Sequence, residues 1–242
     1  MTQQVNDNLV LLVGKSAAGK SASLMNLPNP EGVMYLNCEA GKKLPFRSKF
    51  KEFTITDPLQ VEEAFMAAEN MPDIHTIVVD SLTYMMDMYE SVYVLTSANT
   101  MKAWSDFSQF FKRLMQSHVA KSTKNVVFTA HVSDTINDEM IAETCVPVKG
   151  SLKNNGVESY FSCVIAAKKV QIKELADYEN DLLEITEEEK MLGFKYCFQT
   201  KLTKKTVGDR LRSPLGMWSN KETYIDNDMN KVFGKLHEYY AP

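Results

Sequence analysis

The sequence predicts an α/β fold: a mainly parallel sheet flanked by helices, with antiparallel strands added towards the C-terminus. Three observations carry this. Through the first 131 residues, short apolar runs alternate with segments of helical period, as right-handed strand–helix–strand crossovers require. The first of these runs, residues 8–13, is apolar nearly throughout, as suits a parallel strand covered on both faces. Residues 14–21 then read G-K-S-A-A-G-K-S, a complete G-x4-G-K-[ST] match placed between a strand candidate and a helix candidate.

Taken in order, residues 8–13 form the first strand, and residues 21–26 continue the glycine-rich loop as a helix that Pro28 and Pro30 stop. Residues 32–38 and 53–56 are strand-like. Pro58 opens a helix running to Glu69, with Val61, Ala64, Phe65 and Ala68 at helical spacing. Residues 74–79 are a strand ending at Asp80. Met85, Met86, Met88, Tyr89, Val92 and Tyr93, then Trp104, Phe107, Phe110, Phe111 and Leu114, are core residues of two helices. Residues 125–130 form the next strand, ending at His131. Residues 132–156 are polar and read as a long loop. The runs 160–170 and 193–199 are expected to pair as antiparallel additions, with an acidic insert, 173–191, between them. A basic loop (201–214) and a helix over 228–240 close the chain. The expected organisation is a single domain over 1–242: a nucleotide-binding core (1–131), the loop 132–156, and C-terminal strands, insert, basic loop and terminal helix (157–242).

Composition narrows the class. Of 242 residues, 44% are hydrophobic and 24% charged, which is ordinary for a soluble globular protein. No apolar run is long enough to span a bilayer, and the first residues lack the basic and apolar regions of a signal peptide, so no membrane is expected as a partner and the cytoplasm is the expected compartment. Cys38, Cys145, Cys163 and Cys197 fit no zinc spacing and read as reduced thiols, mostly buried. The net charge is −4, but it is unevenly spread. Residues 171–192 carry eight acids against Lys173 and Lys190, a solvated face. Residues 193–215 carry Lys195, Lys201, Lys204, Lys205, Arg210 and Arg212 against Asp209, a stretch able to meet phosphates on a nucleotide or a nucleic acid.

The chemistry gathers beyond strand ends, where ligands of open α/β sheets sit. Gly14, Lys15, Ser16, Ala17, Ala18, Gly19, Lys20, Ser21 and Ala22 form the nucleotide-binding loop, whose N–H groups curl towards phosphate oxygens. Lys20 reaches the β- and γ-phosphates and Ser21 ligates Mg²⁺. Residues 77–80, I-V-V-D, look like a Walker B strand, with Asp80 holding Mg²⁺ through water. Glu39 ends the second strand, a place for a carboxylate that deprotonates an attacking water. His131 is placed to sense the γ-phosphate. His75, His118 and His237 read as structural. Of the basic residues over 201–212, one can act in a neighbouring subunit's site as an arginine finger does; nucleic-acid binding or plain solvation are the alternatives.

The order of G-K-S-A-A-G-K-S, then residues 34–39 (M-Y-L-N-C-E), 76–81 (T-I-V-V-D-S) and 126–131 (V-V-F-T-A-H) resembles the RecA-like P-loop NTPase core. Residues 102–104 (K-A-W), 198–200 (F-Q-T), 224–229 (Y-I-D-N-D-M) and the Tyr239–Tyr240 pair bring the resemblance closer to the bacteriophage RecA-like single-strand annealing ATPases of the Sak type. The resemblance implies ATP and Mg²⁺ as cofactors, single-stranded DNA as partner, a single-strand-binding protein as a possible associate, and a head-to-tail homo-oligomer, ring or filament. It makes Glu39 the catalytic glutamate, Asp80 the Walker B acid and His131 the sensor, where RecA has glutamine. It makes residues 132–156 the DNA-binding loop with Lys149 and Lys153 near phosphates, and Lys201, Lys204, Lys205 and Arg210 candidates to act across a subunit interface. Because the first strand begins close to the first residue, assembly is expected to use the core's own surfaces.

The reading is a Mg²⁺-dependent, DNA-stimulated ATPase of phage-type recombination or strand annealing, with Lys20, Glu39 and His131 at its centre. The alternatives are a nucleotide-gated annealing module with negligible turnover and a helicase or packaging-motor core. A small-molecule kinase is disfavoured, because Arg210 and Arg212 are the only arginines close together late in the chain.

Overall fold

Parallel strands dominate one eight-stranded sheet, beside which stands a separate two-stranded hairpin. The fold is taken from a computed structural model that describes residues 5–136, 140, 142–154 and 156–241. In chain order the strands are β1 (Leu9–Val13), β2 (Val33–Asn37), β3 (Lys51–Thr54), β4 (Thr76–Asp80), β5 (Asn125–Ala130), β6 (Ser133–Ile136), β7 (Ala142–Cys145), β8 (Cys163–Gln171), β9 (Phe194–Gln199) and β10 (Tyr224–Asp226). The helices are α1 (Leu59–Glu69), α2 (Leu82–Tyr89), α3 (Thr100–Arg113), α4 (Ile172–Leu175), α5 (Glu187–Leu192) and α6 (Met229–Tyr240). The sheet order is β10-β9-β8-β1-β5-β4-β2-β3.

Alternation along β1 sets the two layers. Leu9, Leu11 and Val13 pack on one face with the apolar sides of α1, α2 and α3. Val10 and Leu12 point the other way, into a cluster with Leu24 and with Val232, Phe233 and Leu236 of α6; successive side chains of a strand leave on opposite faces. Both faces are covered, which explains the unbroken apolar runs. Phe128 of β5 is fully buried between Phe65 of α1, stacked at 6.2 Å, and Phe161, edge-on at 5.6 Å. The helical residues expected in the core are there: Met85, Met86, Tyr89, Phe107, Phe110, Phe111 and Leu114 are buried. Val92 is exposed, because α2 runs on into a π-helical turn, Glu90–Val94, which turns it off the core.

Three local expectations differ from what forms. The segment after the glycine-rich loop is a single 3-10 turn, Ser21–Leu24, not a longer helix. Ser23 Oγ bonds back to the Lys20 carbonyl at 2.6 Å, and Pro28 disfavours helical geometry at the residue before it. The run expected at 160–170 is not an antiparallel addition on both sides: β8 pairs parallel with β1 and antiparallel only with β9. Its first five residues are buried, as a strand inside a parallel sheet requires. The reversal comes one strand later, at β9, which is antiparallel to both β8 and β10. Within 132–156, residues 137–139, 141 and 155 lie outside the described residues; the rest holds the antiparallel β6–β7 hairpin and a 3-10 helix, Gly150–Asn154.

The acidic insert is anchored rather than merely solvated. Leu175 and Leu183 pack with Val170, Cys197 and Tyr224 against the outer strands. Lys195, itself buried, pairs with Glu189 at 2.8 Å and Asp226 at 3.1 Å, and Thr186 and Glu189 cap α5 reciprocally. The cysteines are free thiols, three of them buried. Among the described residues no helix is long and apolar enough to cross a membrane.

Candidate active site

The carboxyl ends of β1, β5, β4 and β2 lie side by side, because these four strands are parallel neighbours. Residues far apart in sequence therefore meet over one sheet edge. The glycine-rich loop, Tyr35, Glu39, Lys42, Asp80, His131, Tyr196 and Asn227 line a cleft of about 570 Å³.

The loop leaves β1 at Gly14, where a Cβ would come within 2.8 Å of the Ala167 carbonyl oxygen. Gly19 takes φ +97° and lies against Asn227, whose Nδ2 donates to its carbonyl at 2.9 Å. Ala17 is also left-handed, at φ 57°. These turns curl the backbone into an anion-binding concavity. Among the described residues, the N–H groups of Ser16, Ala17 and Gly19 have no acceptor.

Lys20 is buried in this loop with carbonyls for partners: its Nζ donates to Gly14 O at 2.8 Å and Lys15 O at 3.0 Å. Among the described residues no carboxylate is within ion-pair distance of it. Burial pulls its pKa down to about 8, against the attraction of Asp80 and Glu39. An enclosed ammonium without a counter-ion, beside free N–H groups, fits a bound anion.

Asp80 is buried and fully engaged. Its Oδ2 accepts from Ser21 Oγ at 2.8 Å and Tyr35 OH at 2.7 Å, and its Oδ1 from Thr129. Burial, followed by the Asp80 charge, pushes the Tyr35 phenol far up, so Tyr35 stays a donor. Ser21 and Asp80 thus present oxygen donors facing each other, the set a Mg²⁺ ion takes together with water and phosphate oxygens. Among the described residues no cluster of three His, Cys, Asp or Glu could hold a metal, so a cation here leans on its ligand's oxygens.

Glu39 and His131 complete the site. His131 Nε2 lies 3.2 Å from Glu39 Oε1, and its Nδ1 3.4 Å from Lys20 Nζ. Lys42 Nζ donates to Glu39 Oε2 at 2.7 Å. The hydrogen bond from His131 is the largest influence on Glu39; with Lys42 it holds the carboxyl at about 2, against burial. The His131 N–H donates to Thr83 Oγ1 at 3.0 Å, and the ring meets Tyr84 edge-on.

The basic candidates are not gathered with these residues in the cleft. Lys205 and Arg210 line a second cleft of about 470 Å³ on the other flank of residues 14–18. Arg210 pairs with Glu143 at 3.0 Å and Lys205 with Glu174 at 3.0 Å. Lys201 bonds Asn220 Oδ1 at 2.7 Å, Lys204 is exposed, Lys149 is paired with Glu90, and Lys153 is exposed. Lys15 pairs with Asp134 of β6 at 2.6 Å, tying the loop to the hairpin.

Sequence reading missed Tyr35, Lys42, Thr129 and Asn227. Tyr35 and Thr129 each sit on a strand beside the acid they serve. Lys42, three residues after Glu39, was the most accessible signal. Asn227 lies in the 224–229 stretch that carries the closer resemblance, but nothing there ties it to the loop, because it arrives from the far end of the chain.

A protein-family model described as an AAA domain matches residues 6–197. Among curated proteins none matches the chain.

Proposed function

Because the chain belongs to the AAA domain family, whose model spans more than half of it, and is thus a P-loop NTPase, we propose that it hydrolyses ATP with Mg²⁺ and couples this to single-stranded DNA in recombination or strand annealing. The observation that carries the hydrolytic part is His131 standing between Lys20 and Glu39. A phosphate-reaching ammonium, a hydrogen-bonding ring and a carboxylate base in one line are what γ-phosphate hydrolysis needs from a protein.

In this reading the loop N–H groups and Lys20 bind the phosphates, and Ser21 and Asp80 hold Mg²⁺. The ion, when bound, neutralises charge across the β- and γ-phosphates. Glu39 orients water and takes its proton. His131 reports what Lys20 binds to the hairpin that follows it, because β6 starts at Ser133 and Asp134 pairs with Lys15. That hairpin and the segment 146–156 are the proposed DNA-facing surface, with Lys149 and Lys153 its cations. Assembly of several copies on one strand, as a ring or filament, offsets the weak binding expected of a chain with net charge −4. Lys201, Lys204, Lys205 and Arg210 are candidates to complete a neighbour's site or to touch DNA. The host cytoplasm is the proposed setting, and a single-strand-binding protein a proposed associate.

The test is phosphate release from Mg²⁺-ATP by wild type and Glu39→Gln, with and without single-stranded DNA. DNA-stimulated release lost in the variant supports the whole reading. Release indifferent to DNA removes the nucleic-acid part and leaves the hydrolase. One observation favours a second reading, a nucleotide-gated binding module with little turnover: both Glu39 oxygens are already engaged, by His131 and Lys42. A Glu39→Gln protein that anneals strands at the wild-type rate selects it.

A further inference from the structure

Resting on the hydrolase reading above, we propose that Lys42 is a further catalytic residue. It is a lysine of the same chain that moves from Glu39 to the terminal phosphate of a bound nucleoside triphosphate, and in moving frees the carboxylate oxygen that accepts the proton of the attacking water.

The turn that carries Lys42 is built for this. Ala40 and Gly41 both adopt left-handed backbone, at φ 51° and 76°, which folds the chain back after Glu39. Such a conformation is unfavourable for alanine and persists only where its surroundings impose it. The imposing group is Asn37, which is fully buried. Its Oδ1 accepts from the Glu39 N–H at 3.0 Å, and its Nδ2 donates to the Lys42 carbonyl at 2.9 Å. One amide thus fixes the backbone of the base and of the lysine relative to each other.

The side chains differ. Glu39 is 9% exposed, whereas Lys42 is 65% exposed, with its ammonium 2.7 Å from Glu39 Oε2. It is an exposed cation on a fixed tether, opening into the cleft that Lys20, Ser21 and Asp80 also line. Lys42 is near enough to Lys20 to depress its ionisation, and both ammonium groups feel Asp80 and Glu39. A triphosphate in this cleft brings more negative charge than the single charge of Glu39, so the exposed lysine changes partner. Lys15, by contrast, faces outward onto Asp134.

The resting pair also sets the state of the base before nucleotide binds. With Oε1 on His131 and Oε2 on Lys42, Glu39 is oriented, and the Lys42 ammonium competes with water for Oε2. After the exchange Oε2 is free. The water oxygen then bonds to the γ-phosphorus, and one water proton passes to Glu39 Oε2. The bond from the γ-phosphorus to the β–γ bridging oxygen breaks, with its electron pair leaving on the diphosphate. Water is the sole co-reactant.

The experiment compares wild type, Lys42→Ala, Lys42→Arg and, as a control outside the cleft, Lys49→Ala, an exposed lysine paired with Glu31, in the full chain. The readouts are equilibrium binding of fluorescent ADP and of a non-hydrolysable ATP analogue, and kcat and KM for Mg²⁺-ATP. In Lys42→Ala, ADP affinity stays at the wild-type value and preference for the triphosphate analogue falls about tenfold, while kcat falls about 100-fold. Lys42→Arg restores much of both, and Lys49→Ala behaves as wild type. A Lys42→Ala protein that turns over ATP and prefers triphosphate as wild type does overturns the proposal and leaves the hydrolase reading standing. A wild type that binds neither nucleotide overturns both.

Discussion

His131 reaches Glu39 Oε1 with Nε2 at 3.2 Å while its Nδ1 faces the Lys20 ammonium at 3.4 Å. An ammonium only donates, so Nδ1 must accept and Nε2 must carry the proton given to the carboxylate. A single neutral tautomer satisfies both contacts, and in the proposed hydrolase it makes the ring a relay between the group assigned to phosphate and the group assigned to water.

Glutamine at position 131 can reproduce that relay, since its carbonyl accepts and its amide donates. His131→Gln is expected to keep ATP turnover within about tenfold of wild type, and His131→Leu to lose about 100-fold. Both should bind nucleotide. Steady-state kcat with equilibrium binding checks this, and equal turnover in the two variants would remove the relay.

Glu39→Gln is expected to lower turnover by about 10²–10⁴-fold with nucleotide binding retained. Stability gives a second handle. The Glu39 carboxyl is at about 2 in the folded chain against 4.5 as a free group. A depressed carboxylate stabilises the fold above its unfolded pKa, and that contribution drains away as pH falls from 4.5 towards about 2. Urea midpoints at about pH 6 and about pH 3 should therefore converge between wild type and the glutamine variant as acid is added.

Lys20 titrates in the opposite range. Its folded pKa, about 8 against 10.5, means that the unfolded chain binds more protons between those values. Stability from this group therefore rises with pH across that window. A bound anion restores the lysine's charge, so nucleotide binding near pH 9 takes up a proton, and affinity falls as pH climbs above about 8. Calorimetry in buffers of different ionisation enthalpy measures the uptake, and Lys20→Met should show none.

Tyr35→Phe removes one of three donors to the buried Asp80 and should lower stability by about 1–2 kcal/mol, without changing the denaturant m-value. Phe128→Ala, in the core away from the cleft, should cost about 3–5 kcal/mol. Denaturant unfolding compares them. A Tyr35→Phe loss as large as that of Phe128→Ala would mean the phenol also supports the packing of β2.

Local chemistry carried most of what the sequence by itself determined. Apolar runs covered on both faces defined the central strands, and G-K-S-A-A-G-K-S identified the phosphate loop. Asp80, Glu39 and His131 were visible because each stands at or just beyond a strand end, where parallel order brings such ends to one edge. What only the tertiary structure decided was everything set by long-range pairing. Whether β8 runs with β1 or against it depends on the path between them, which no local period encodes. Lys195 looks like one cation in a basic stretch, yet it is buried and pins the acidic insert through Glu189 and Asp226. Lys42 looks like a surface lysine until the Ala40–Gly41 turn and the buried Asn37 amide fold it back onto Glu39. Strand and loop identity follow from steric and hydrophobic preferences of neighbouring residues, whereas partners in a site follow from the sheet order that brings distant residues to one edge.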